Sequence, residues 1–280
     1  MSPTPLYQPR SDDGAYQLRY SWTGWPAGGS FAARPERVIE ESKSLWERDG
    51  LRVLEHRWTD ALVQILFSAR PDVSPEVMAA RAKGRLDHAL RAAKVQMPFS
   101  RKVALRAVGD NTRRDIEAYL ARQVAKERFA DPTFAQRVEE LTVVDPRVDL
   151  SAPAESARGR YWYNLHLVLV VAGRVCIHDF DVLRGLRDAF LKIAAKKGHA
   201  VGSLAVMPDH LHAALRPPAG QTPLDIVFAY QNNLASMTGQ GRIWSDGFYV
   251  GTFGDYAMSA VRGRASTTAW AGLNEERGTV

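Results

Sequence analysis

A chain of 280 residues is long enough for two domains of roughly 120 to 140 residues, and a composition 45% hydrophobic and 24% charged excludes an intrinsically disordered protein. The single cysteine, Cys176, excludes an intramolecular disulfide, and the longest apolar run, Leu165 to Gly173 broken by His166, is far short of the ~20 residues of a bilayer-spanning helix. A net charge of +6 favours a polyanionic partner, and without a basic-then-apolar leader the expectation is a cytoplasmic, nucleoid-associated protein with no membrane partner.

In chain order, Tyr16 to Trp22 alternates as a strand does. Pro35 to Arg48 then puts Val38, Ile39, Ser42, Leu45 and Trp46 on one helical face, and Gly50 marks its end. Two strands follow, Leu51 to Trp58 and Ala61 to Phe67, and Ser74-Pro75 reads as an N-cap with proline at the first helical position. A strand from Phe99 leads to Gly109, and the next helix carries Tyr119 and Gln123. Residues 128–159 are rich in Pro, Asp and Ser and read as a linker with a short helix at Thr133 to Leu141.

The same succession then repeats. Tyr163 to Leu169 is a strand, Asp181 to Ala195 a helix ended at Gly198, and Ala200 to Val206 and His210 to Arg216 a strand pair. Thr222-Pro223 opens another helix, and Trp244 to Gly254 matches Phe99 to Gly109 without a gap. A βαββαβ unit followed by a helix, seen twice, predicts an α+β chain of two tandem ferredoxin-like domains, antiparallel sheets with helices on one face. The expected division is 1–127, a linker at 128–159, and 160–280, with the stretch after Thr268 weakly patterned.

The chemistry-bearing residues are divided between the halves. His210 and His212 alternate with Leu211 on a strand, so both imidazoles face one side and could converge on a divalent ion. Tyr119 and Gln123 are four apart on a helix and share a face, where the amide could complete the ligands while the phenol acts as nucleophile. Aligned on Asp60 and Asp209, the first half has Ala61 and Val63 at the histidine positions, and the second has Arg264 and Thr268 at those of Tyr119 and Gln123. The loss is reciprocal. Tyr230, the rival nucleophile, lies at core spacing with Ile226, Val227 and Leu234, and His166 and His178 read as structural or exposed.

The segment Val206-Met207-Pro208-Asp209-His210-Leu211-His212, with Pro223 to Val227 and Trp244 to Thr252, resembles the HUH single-tyrosine transposases of small insertion sequences and their REP-associated relatives. The resemblance covers Tyr161 to about Arg264. It implies a covalent pseudo-dimer joined edge to edge, with Phe248 to Thr252 pairing with Val103 to Ala107. It further implies one composite site of Tyr119, Gln123, His210 and His212, Mg2+ or Mn2+ as cofactor, and cleavage of single-stranded or hairpin DNA through a 5′-phosphotyrosine. Arg101, Lys102, Arg106, Arg113, Arg114, Arg262 and Arg264 would contact phosphates, and Trp244, Phe248 or Tyr249 would stack bases, against the plainer reading of solvated charge. The active species would be a monomeric pseudo-dimer, or two chains on DNA. The competing readings are a domesticated protein that binds hairpins without cutting, and an unrelated metal enzyme using His210 and His212.

Overall fold

The computed structural model describes residues 5–8, 14–31, 35, 37–95, 97–239 and 241–256. Arg262, Arg264 and Thr268 lie outside the described residues. The first half forms β1 (Gly14–Gln17), β2 (Arg19–Pro26), α1 (Arg37–Arg48), β3 (Leu51–Trp58), β4 (Val63–Ala69), α2 (Pro75–Ala92), β5 (Phe99–Val108) and α3 (Arg113–Leu120). The connecting region holds α4 (Gln123–Lys126), α5 (Pro132–Glu139), β6 (Val143–Val144) and β7 (Ala154–Ser156). The second half follows as β8 (Gly159–Trp162), β9 (Leu165–Val171), α6 (Phe180–Lys197), β10 (Ala200–Val206), β11 (His210–Arg216), α7 (Pro223–Thr238) and β12 (Trp244–Thr252). No helix among the described residues is long and apolar enough to cross a membrane.

Local chemistry sets the helix ends as the sequence indicates. Ser74 accepts from the Val77 amide and Thr222 from the Asp225 amide, each followed by a proline that needs no hydrogen bond there. Gly198 closes α6 at φ 72°, a left-handed conformation that a side chain would strain. Alternation in β9 buries Leu165, Leu167, Leu169 and Val171 and leaves His166, Val168 and Val170 half-buried on the opposite face.

The strands make two six-stranded sheets, ordered β3-β4-β2-β5-β8-β7 and β1-β12-β9-β11-β10-β6. Four strands of each are antiparallel and equivalently placed: β2 lies between β4 and β5 with β3 outside β4, as β9 lies between β11 and β12 with β10 outside β11. The ladders make the repeat measurable. Gly14 pairs with Phe248 and Gly159 with Val103, so equivalent residues are 145 apart. In the hairpins, Val53 pairs with Phe67 and Val201 with Leu215, a displacement of 148, and a bulge follows at the same place in each.

This register corrects one expectation. The turns pair Trp58 with Val63 and Val206 with Leu211, so Leu62 and Gln64, rather than Ala61 and Val63, are equivalent to His210 and His212. Aligning on the two aspartates had slipped the strand by one residue, which turns every side chain to the other face.

The junction corrects another. Phe248 to Gly251 pairs with β1, and Val103 to Arg106 with β8, both in parallel, instead of β12 pairing with β5. One extended run serves both sheets: β1 lies on the second sheet, the chain passes Leu18, and β2 enters the first. β8 and β9 make the reciprocal crossing. Beyond β5 and β12 the backbones approach closely, and a Cβ on Gly109 would lie 2.4 Å from the Thr252 carbonyl oxygen, one on Gly254 2.3 Å from that of Ala107. The Thr252 hydroxyl accepts from the Arg19 amide at 2.9 Å and lies 2.8 Å from the Val108 carbonyl oxygen. Buried side chains of both halves, including Trp22, Trp46, Phe190 and Tyr230, belong to one continuous apolar cluster.

Candidate active site

His210 and His212 stand on the face of β11 away from α6 and α7, with rings 4.9 Å apart, and are 9% and 7% exposed. The Asp209 carboxylate accepts from His210 Nδ1 at 2.5 Å and from Arg174 at 3.0 Å, which leaves His210 Nε2 as the free ring nitrogen. Arg174 reaches it from a tight turn in which Gly173 and Arg174 have φ of 64° and 52°.

The tyrosine helix comes from the other half. Thr112 and Asp115 form a reciprocal capping box at the start of α3. From there α3 crosses the junction and packs on β10 and β11, seating Ile116 and Leu120 among Leu150, Ala214 and Phe253. The Tyr119 ring thereby lies edge-on to His212 with centroids 5.3 Å apart. Gln123 does not continue that helix: the backbone turns at Ala121 and Arg122, and Gln123 begins α4. Its amide nitrogen nevertheless donates to the Tyr119 carbonyl oxygen at 3.0 Å, which keeps the two residues together and leaves Oε1 as a potential donor to a metal. Lys126, on the same short helix, holds its ammonium 3.7 Å above the Tyr119 ring.

His166, read from sequence as structural or exposed, is the third imidazole of the cluster. Its Nε2 lies 3.1 Å from His212 Nδ1, and its ring also meets Tyr119 at 6.1 Å and Tyr249 at 5.7 Å. Burial lowers its pKa to about 4. His212 is lowered further, to about 2, by burial first and then by its neighbours His166, His210, Lys126 and Arg174. His166 and His212 are therefore neutral, the form in which a ring nitrogen can ligate. For Asp209 burial is the largest influence and would raise its pKa, but His210 and Arg174 together bring it below the usual value.

A divalent ion at this place would have two imidazoles and one amide oxygen from the protein. Among the described residues no group of three or more His, Cys, Asp or Glu could hold a metal, so a third protein donor here would be of another type, such as an amide oxygen. Two imidazole nitrogens, one backed by a carboxylate, plus a hard oxygen would suit an ion that keeps positions open for phosphate oxygens.

The proposed nucleic-acid contacts divide. Arg101, Lys102 and Arg114 are exposed, whereas the Arg106 guanidinium lies 3.4 Å over the Trp162 ring and Arg113 is held by Glu117 and Asp255. Trp244 and Phe248 are buried, 3% and 7% exposed, and Phe248 packs edge-on against Phe228, so neither can stack a base. They occupy inward positions of β12, and the aromatic type alone did not reveal which way they point. Tyr249 is half-buried against His166 and reaches Gln17 at 3.3 Å. Tyr230 is fully buried, stacked on Phe190 at 4.1 Å with its hydroxyl 2.8 Å from His199 Nδ1, in keeping with the core role expected for it.

Residues 160–263 match the family model for IS200-like transposases. Over 80 residues the chain is 39% identical to the ISDra2 transposase TnpA of Deinococcus radiodurans, a match covering 28% of this chain and 57% of that protein. The chain thus spans little more than half of that relative. A crystal structure of a candidate transposase from Deinococcus radiodurans R1 aligns at 25% identity over 35% of this chain and 84% of that one, with a TM-score of 0.32. A candidate glycine cleavage system transcriptional repressor aligns at 11% identity over 79% and 91%, with a TM-score of 0.19.

Proposed function

We propose that this chain, whose residues 160–263 match the family model for IS200-like transposases, is a transposase of the single-tyrosine HUH type that nicks and rejoins single-stranded or hairpin DNA at one site composed from both halves. The observation that carries this reading is the 5.3 Å approach of Tyr119, borne by the first half, to His212 of the second. Each half is read as a ferredoxin-like unit, 1–127 and 160–280 around a linker at 128–159, and the chain as a pseudo-dimer. The repeated strand order supports this.

In the proposed reaction the Tyr119 oxygen attacks the scissile phosphorus, a P–O bond to tyrosine forms, and the P–O3′ bond breaks. The phenol proton passes to solvent, the released 3′ oxygen takes one up, and the 5′ end remains on the protein as a phosphotyrosine. Attack by a 3′-hydroxyl reverses the step and rejoins a strand, because the phosphotyrosine retains the bond energy. His210, His212 and Gln123 would hold Mg2+ or Mn2+, which would polarise the phosphate oxygens. Lys126 adds positive charge beside the nucleophile, and the exposed Arg101, Lys102 and Arg114 would supply phosphate contacts.

The test is covalent capture. The protein is mixed with labelled hairpin-bearing single strands and Mn2+ and resolved on a denaturing gel. An adduct is expected with the wild type and with Tyr230→Phe, and none with Tyr119→Phe or His210→Ala. Retarded migration on a native gel without any adduct would favour the hairpin-binding protein. Metal-dependent cleavage that survives Tyr119→Phe would favour an unrelated metal enzyme.

A further inference from the structure

His210 is backed by the carboxylate of Asp209, but the residue behind His212 is an imidazole. We propose that His166 is a positioning residue that fixes the tautomer and ring orientation of His212. It accepts the hydrogen bond from His212 Nδ1–H, so that Nε2 of His212 is the nitrogen left for the metal. This inference rests on the composite-site reading above.

Three observations carry it. The first is the contact itself. His166 Nε2 lies 3.1 Å from His212 Nδ1, with the rings stacked at 22° and centroids 5.3 Å apart. A neutral imidazole has one donor and one acceptor nitrogen, so a His212 that ligates through Nε2 must carry its proton on Nδ1 and needs an acceptor there. His166 Nε2 is that acceptor when its own proton sits on Nδ1.

The second is that His166 cannot easily turn. Its ring is set edge-on between Tyr119 at 72° and Tyr249 at 69°, and the Tyr249 hydroxyl is tied to Gln17 on β1. The side chain that holds the ligand thus also touches the candidate nucleophile, so ligand and nucleophile are oriented by one ring. The third comes from the equivalent place in the first half. Displacements of 145 and 148 residues bring Ser21 to the position of His166 and Gln64 to that of His212, and the Gln64 amide lies 3.5 Å from the Ser21 hydroxyl. The cross-strand pair is kept as a pair, but where the ligand histidine is absent its imidazole partner is absent too.

Partners behind metal-ligating histidines typically contribute 10- to 100-fold to affinity. The experiment is titration of the purified full chain with Mn2+ alone, following free Mn2+ by electron paramagnetic resonance, with melting temperatures recorded to confirm folding. His166→Phe keeps the ring contacts and removes the acceptor; it is expected to weaken Mn2+ binding about 10- to 100-fold. His166→Gln, whose amide oxygen can reach the position of Nε2, is expected to bind within a few-fold of wild type. If phenylalanine does not fold there, His166→Asn, too short to reach His212, takes its place against His166→Gln. Adduct formation should show the same division, with the loss in His166→Phe reduced at saturating Mn2+. Wild-type affinity in His166→Phe beside lost affinity in His212→Ala would overturn this inference alone. Equal loss in His166→Phe and His166→Gln would also overturn it, since that is the pattern of a packing role. No saturable Mn2+ binding by the wild type itself would overturn the composite metal site and this inference with it.

Discussion

At the scale of single residues, the strand face decides what a side chain can do. His210 and His212 were legible because alternate positions on a strand share a face, and that rule needs no partner strand. His166 was not, because its neighbour His212 is 46 positions away and meets it only when β9 and β11 pair in a particular register. Trp244 and Phe248 were misread for a related reason: aromatic type fits core and base-stacking alike until burial is known. Replacing Phe248 with alanine should therefore destabilise the protein by about 3–5 kcal/mol, read as a lower urea midpoint, whereas a base-stacking residue would change DNA affinity and leave the midpoint alone. His199 offers a pH test. Burial, the largest influence, holds its pKa below the usual 6.5, so on acidification the unfolded chain binds a proton that the native state refuses. The stability contributed is fully present above about pH 6.5 and is lost progressively below it. Urea midpoints should be flat near neutrality and fall toward about pH 5, with a shallower fall in His199→Gln. His166 and His212, lowered to about 4 and about 2, leave a residual slope in that variant.

At the scale of elements, α3 is the part that most determines whether a site exists. Eight residues are too few for a helix to be stable alone, so its position depends on the cap at one end and the packing of Ile116 and Leu120 below. Thr112→Ala removes the capping hydroxyl and should cost about 1 kcal/mol of stability. Its larger effect should be on adduct rate, with a smaller fall in Mn2+ affinity, because the cap aims Tyr119 while, of the proposed ligands, only Gln123 follows α3 and His210 and His212 lie on β11. Retained adduct rate in a destabilised Thr112→Ala protein would show that packing alone positions the helix. Most elements could be read from periodicity and caps, including α5 within the linker. Two features could not. The turn at Ala121 and Arg122 interrupts a sequence without glycine or proline, and the passage through Leu18 interrupts an unbroken strand pattern, so neither carries a local breaker.

At the scale of the molecule, the two halves are joined by exchanged strands and by close backbone contact at Gly109 and Gly254. A methyl group at Gly109 would displace the Thr252 carbonyl, so Gly109→Ala should destabilise by about 1–3 kcal/mol and weaken the junction as a whole. With one apolar cluster running through both sheets, tryptophan fluorescence and far-ultraviolet circular dichroism should report a single coincident urea transition; two separated transitions would mean that the halves fold independently. The repeat itself was legible, since β5 and β12 correspond without a gap, but its hairpin register was not, because a shift of three residues lies between. The exchange of β1 and β8 has a further consequence. Two subunits that merely associate assemble a shared site only above their dissociation constant, and dilution empties it; here the proposed nucleophile and ligands are tethered in one chain. Specific activity should then be independent of protein concentration down to the lowest level assayed, and the catalytic unit would survive in a cell that makes only a few copies.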